Sequence, residues 1–187
     1  GASSLTCTLL GDDVSGQMRI DNNVGGASIH LDAVGTALVA GSMHQLSLHA
    51  NGGDPISALG HVLGIDAPST HHNLPCSPHR RLGDMGNVVV RSTKTGSRAQ
   101  YAANFKMFDD KLSDIVGTRC VLWSKPDVTC EIWSGGCDGI NSGKVVLAEG
   151  VVGLTNSVSN GVDGSSSSNY DYNCGSAVIR ASSARIY

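Results

Sequence analysis

The chain has 187 residues, 24 of them glycine, with 4% aromatic residues and a formal net charge of -3. That length fits one domain spanning 1–187 with a sizeable core, and a mild charge without a basic stripe argues against a nucleic-acid partner. No apolar run approaches about 18 residues, so no membrane partner is expected either.

Short β-branched runs separated by Gly, Asn, Ser and Asp predict strands throughout the first half. The first covers Leu5 to Leu10 and stops at Gly11-Asp12-Asp13. Gly16 to Asp21, Ala27 to Ala33 and Ser42 to His49 follow, the last ended by Asn51-Gly52-Gly53. After an irregular stretch to about Leu82, strands are expected at Asn87 to Ser92, Ala99 to Phe105, Ile115 to Trp123 and Gly175 to Ala181. This pattern is all-β: an eight-stranded antiparallel Greek-key β-barrel with two long loops, a closed form that leaves no exposed sheet edge. Irregular stretches of roughly thirty residues are uncommon unless they are functional or tied down. The first excursion holds His61, His71, His72, Cys76 and His79, and the second runs from Ser124 to about Asn173. Within the second, the apolar segment Lys144 to Leu154 is expected to add an extra strand or hairpin, and Ser165 to Ser168 reads as a flexible tip.

Six cysteines, an even number without a CxxC pair, favour disulfides over a zinc cluster and therefore an oxidising, extracellular compartment. Cys130 and Cys137 bracket a short loop suited to a local disulfide. Cys7, Cys76, Cys120 and Cys174 leave the remaining pairing open, and the alternative reading makes Cys7 and Cys120 small core residues with free thiols. The opening Gly1-Ala2-Ser3 carries no apolar leader and reads as a mature, processed start.

Histidines and an aspartate lead into a strand through Gly83-Asp84-Met85-Gly86-Asn87, as in a loop folded around a cation. Together with Gly41 to His49, His72 to Asn87, Asp114-Ile115-Val116-Gly117 and Asn173-Cys174-Gly175, this run resembles the Cu/Zn superoxide dismutase family along the whole barrel. The resemblance implies a copper site at Ser47, His49, His61 and Trp123, and a zinc site at His61, His72, Arg81 and Asp84. Four of these positions, His49, His61, His72 and Asp84, keep ligand-type side chains as a weak remnant set. Ser47, Arg81 and Trp123 replace ligands. His44 matches a structural histidine, Asp127 an aspartate that ties the two sites together, and Asp171 stands where the family carries a guiding arginine. The family's loop cysteine is missing, since the region reads Asp54-Pro55-Ile56-Ser57, so Cys174 needs another partner such as Cys76 or stays free.

Dismutation requires a redox metal, an open coordination position and a positive approach for the anion. A serine hydroxyl is a poor copper ligand at neutral pH, an indole offers no lone pair, and Asp171 reverses the charge of the lip. The expectation is a secreted pseudo-enzyme, with no catalytic residue and no cofactor beyond weak, partial binding of zinc or copper. Arg81 is expected to replace the zinc ion by pairing with Asp84 and Asp127. The alternatives are that it turns to solvent, or that zinc persists on His61, His72 and Asp84. The lost ligands, even cysteines and long second loop further resemble the pernin and cavortin type of bivalve haemolymph protein. That likeness implies a circulating protein that binds metal ions weakly and self-assembles as a homodimer or larger homo-oligomer. Two other readings stay open: an enzyme with residual activity at an altered site, and a non-catalytic protein-interaction module.

Overall fold

The computed structural model describes residues 4–23, 26–50, 83–105, 115–126 and 144–154, with residues 22, 23, 26, 84 and 101–105 described by their backbone alone. Eight strands appear in these segments: β1 Ser4–Leu10, β2 Val14–Asn23, β3 Gly26–Gly35, β4 Met43–His49, β5 Asp84–Thr93, β6 Gly96–Phe105, β7 Arg119–Trp123 and β8 Val146–Leu154. They close into one barrel in the order β1-β2-β3-β6-β5-β4-β7-β8, and every pairing is antiparallel. The consecutive strands β4, β5 and β6 are flanked by β7 beside β4 and by β3 beside β6, which is Greek-key connectivity on both sides.

Two expectations change. The strand expected at Gly175 to Ala181 lies outside the described residues, and among those described the eighth strand is another segment. It is Val146–Leu154, the apolar segment expected only to add an extra strand. Its inward residues Ala148 and Val152 are buried, and its backbone pairs with β7 on one side and β1 on the other, so it completes the barrel. The seventh strand is also shorter than expected. Ile115 to Thr118 forms a turn in which Thr118 N–H and its hydroxyl both donate to the Ile115 carbonyl, at 3.2 and 2.7 Å. Gly117 there has φ of 87°, a conformation that an extended strand cannot include.

The interior follows strand alternation. Leu5, Leu9, Met18, Ile20, Ile29, Leu46, Leu48 and Leu122 are all fully buried in one core. Each contributes roughly 1.5–3 kcal/mol relative to exposure. Cys7 on β1 and Cys120 on β7 belong to this core and are joined by a disulfide, with Cα atoms 6.7 Å apart. The pairing left open by the sequence is settled for these two residues. Cys130 and Cys137 lie outside the described residues. The bridge passes over β8, where Cys7 stands opposite Val152 and Cys120 opposite Gly150. A Cβ on Gly150 would lie 2.8 Å from Cys7 Sγ and 2.0 Å from the Thr8 carbonyl oxygen. Glycine at 150 is what lets the two sulfurs meet across the strand.

The Gly83-Asp84-Met85-Gly86-Asn87 run also takes on a backbone role. The β4–β5 register shifts between Gln45 and Ser47, and Gly86, opposite this irregularity, has φ of 79°. A positive φ at a glycine is how such a bulge is accommodated. It bends β5 so that Asp84 pairs with Ser47 while Leu48 N–H reaches the Gly83 carbonyl at 2.9 Å.

Candidate functional site: the outer face of β4 and β7

On β4, Leu46 and Leu48 point into the core, so Gln45, Ser47 and His49 point to the opposite face. The register to β7 places Ser47 beside Val121 and His49 beside Arg119. Leu46 and Leu48 stand against Leu122 and Cys120 on the inner side. Trp123 shares the outer face and stands diagonally from Ser47. An outward face would ordinarily meet solvent. Here Gln45, Ser47, His49 and Trp123 are only 2%, 0%, 3% and 7% exposed.

Buried polar groups need partners, and these supply one another. Trp123 Nε1–H donates to Ser47 Oγ at 2.8 Å, and Ser47 Oγ lies 2.7 Å from His49 Nε2. The two rings meet edge to face, with centroids 5.9 Å apart and planes at 61°. The indole can only donate. Ser47 Oγ therefore accepts from Trp123 and shares a second hydrogen bond with His49 Nε2.

Two further groups attach to this chain. The Lys144 ammonium donates to Gln45 Oε1 and stands 5.3 Å from the centroid of the Trp123 ring. On the inner side of β4, the buried His44 donates through Nδ1 to the Trp123 carbonyl, at 2.9 Å, and contacts Ser42 Oγ through Nε2 at 2.8 Å. A carbonyl only accepts, so Nδ1 carries the proton, while Ser42 Oγ donates to the Val39 carbonyl at 2.6 Å. Burial holds the His44 pKa below its ordinary value, against the opposing backbone hydrogen bonds to Trp123 and Ser124.

Of the residues singled out from the sequence, Ser47, His49 and Trp123 come together. Asp84 follows on β5 by register alone. His61, His72, Arg81, Asp127 and Asp171 lie outside the described residues, as do Cys76 and Cys174. His30 is a half-buried strand residue paired with Arg19 and Ala102. Sequence reading passed over Gln45 and Lys144. Gln45 shares the period-two spacing of Ser47 and His49, a usable signal. Nothing local to Lys144 marks it, because its partners are far away along the chain.

Among the described residues, the donors at these positions do not make up a copper site: the indole nitrogen presents a proton, and His49 Nε2 is engaged with Ser47 Oγ. Among the described residues, no group of three or more His, Cys, Asp or Glu side chains is gathered as a metal would require.

No protein-family model matches the chain. No curated protein sequence matches it either. Among solved structures 158 chains resemble it. One of them is the clock protein EA4, whose crystal structure superposes with a TM-score of 0.61 at 20% identity, covering 82% of this chain and 96% of that one. The likeness is one of fold: this chain is similar to EA4 in its β-barrel.

Proposed function

We propose that the chain is a secreted superoxide dismutase-like pseudo-enzyme, a barrel that keeps the family's architecture without its copper chemistry. The observation that carries this reading is the hydrogen-bonded run Trp123–Ser47–His49. At two positions where the resemblance expects copper ligands, an indole and a hydroxyl bind each other and engage the neighbouring histidine. The indole N–H of Trp123 and the Ser47 hydroxyl thus find protein partners at these positions. The Cys7–Cys120 disulfide supports an oxidising, extracellular setting. Weak divalent-metal binding and self-assembly complete the proposal, and sedimentation of the native protein tests the assembly.

Elemental analysis of protein purified from its natural source is the direct test, followed by a dismutation assay after copper loading. Copper well below one per chain and no metal-dependent turnover are expected. About one copper per chain with rapid dismutation overturns the reading. A gain-of-ligand variant sharpens it. Ser47→His with Trp123→His puts three imidazoles on one face with His49 and is expected to tighten Cu²⁺ binding at least about tenfold.

A further inference from the structure

Lys144 precedes β8 and is remote in sequence from β4 and β7, yet its ammonium sits against the polar chain on their outer face. It donates to the amide oxygen of Gln45 and lies over the Trp123 ring, 5.3 Å from the centroid. Both of those partners are buried, at 2% and 7% exposure, and Lys144 itself is half-buried. An ammonium at such a place has given up part of its hydration. An amide oxygen and an aromatic face are two neutral groups that replace hydration for a cation.

The contact has a geometric consequence. Seating the charge on the ring face fixes the plane of the indole, and that plane aims Nε1 at Ser47 Oγ, 2.8 Å away. Ser47 in turn occupies His49 Nε2. A fixed positive charge beside these groups also disfavours entry of a second cation. We propose that Lys144 is a built-in cation that pins Trp123 and thereby keeps divalent metal ions off His49. This rests on the metal-free reading above and names the residue that enforces it. Lys144 is a positioning residue that acts through Trp123.

The chain has two tryptophans, so Trp133→Phe leaves Trp123 as the sole indole for fluorescence. In that background, treated with chelator and desalted, Lys144→Arg, Lys144→Gln and Lys144→Met are compared with Lys144 for thermal midpoint, Trp123 emission and quenching by added CuCl₂. Arginine is expected to keep the midpoint and emission, because it keeps the charge over the ring. Glutamine and methionine are expected to lower Tm by about 2–4 °C and to shift Trp123 emission to longer wavelength. They are also expected to lower the Cu²⁺ concentration for half-quenching by roughly tenfold. Glutamine behaving as lysine does would remove charge from the account. A lower midpoint with unchanged half-quenching would show a packing contact that excludes nothing. Either result overturns the proposal. Copper in the native protein instead tests the pseudo-enzyme reading and is measured separately, on protein that has never met chelator.

Discussion

On β4, Leu46 and Leu48 on one face are as buried as Gln45, Ser47 and His49 on the other, but different physics holds each set. The inner face is apolar and non-directional: it tolerates small shifts and is penalised mainly by lost volume. The outer face is polar and directional. Each donor there needs one particular acceptor, and the loss of one member strands its neighbours. The alternation that usually separates core from solvent separates two interiors here. Strands buried on both sides are commonly apolar throughout, and β4 shows the other solution, in which the second interior is held by hydrogen bonds.

The largest effect that distinguishes the two faces lies inside the barrel. The Cys7–Cys120 bridge spans 113 residues and so restricts the unfolded chain strongly. Cys7→Ser with Cys120→Ser is expected to lower the urea unfolding free energy by about 4 kcal/mol. The outer-face signature, Trp123 emission in a Trp133→Phe background, should stay in place at low urea. A shifted emission there would mean that the two faces are not separable. Next comes Leu48→Ala, which leaves an inner cavity and is expected to cost about 3 kcal/mol by the same measurement.

Ser47→Ala, one residue away, removes almost no volume. It removes the shared partner of the Trp123 indole N–H and His49 Nε2 together, and is expected to cost about 2 kcal/mol with a clear change in Trp123 emission. Adding Trp123→Phe to Ser47→Ala removes the stranded donor as well. The double variant should then lose less than the two single losses added together. Simple additivity would break the claim that Trp123 and Ser47 act as one unit.

How much of this was legible in the sequence follows the same division. Seven of the eight strands were readable because turn residues such as Gly11-Asp12-Asp13 and Thr93-Lys94-Thr95-Gly96 interrupt alternating runs. Val146–Leu154 was readable as apolar but not as the closing strand, because nothing local says which partners complete a barrel. Its glycines at 150 and 153 weaken the strand signal, and the need for Gly150 is visible only with Cys7 Sγ beside it. Ser47, His49 and Trp123 were readable as a group only through the family resemblance. Their hydrogen-bond order was not, since it depends on the β4–β7 register. Gly86 was read as part of a metal loop, and its positive φ adds a role as a bulge glycine. Motif spacing alone does not separate these two uses.

The smallest expected effects are in pH dependence, and they again set one buried group against an exposed one. His44 has its pKa lowered from 6.5 by burial, so as the pH falls below about 6.5 the unfolded chain takes up a proton that the folded chain resists. Stability should therefore fall on acidification from about pH 7.5 to pH 5, and level off only below the folded value, where both states are protonated. Asp13, at the β1–β2 turn, has its pKa lowered from 3.8, chiefly by the Thr36 hydroxyl, with the Thr36 N–H also donating to Oδ1 at 3.0 Å. Its contribution is present above 3.8 and disappears as the pH drops through the lower folded value. Urea midpoints measured across both windows should show two separate declines. His44→Gln should flatten the first and leave the second, and Asp13→Asn should do the reverse. The first decline is the more informative. His44 holds the Trp123 carbonyl while the indole of that residue holds Ser47, so protonating His44 disturbs the same residue from its backbone side. If the emission of Trp123 in the Trp133→Phe background follows the first decline and not the second, the inner and outer faces of β4 are coupled through Trp123. An emission that ignores both declines would show the two interiors to be independent.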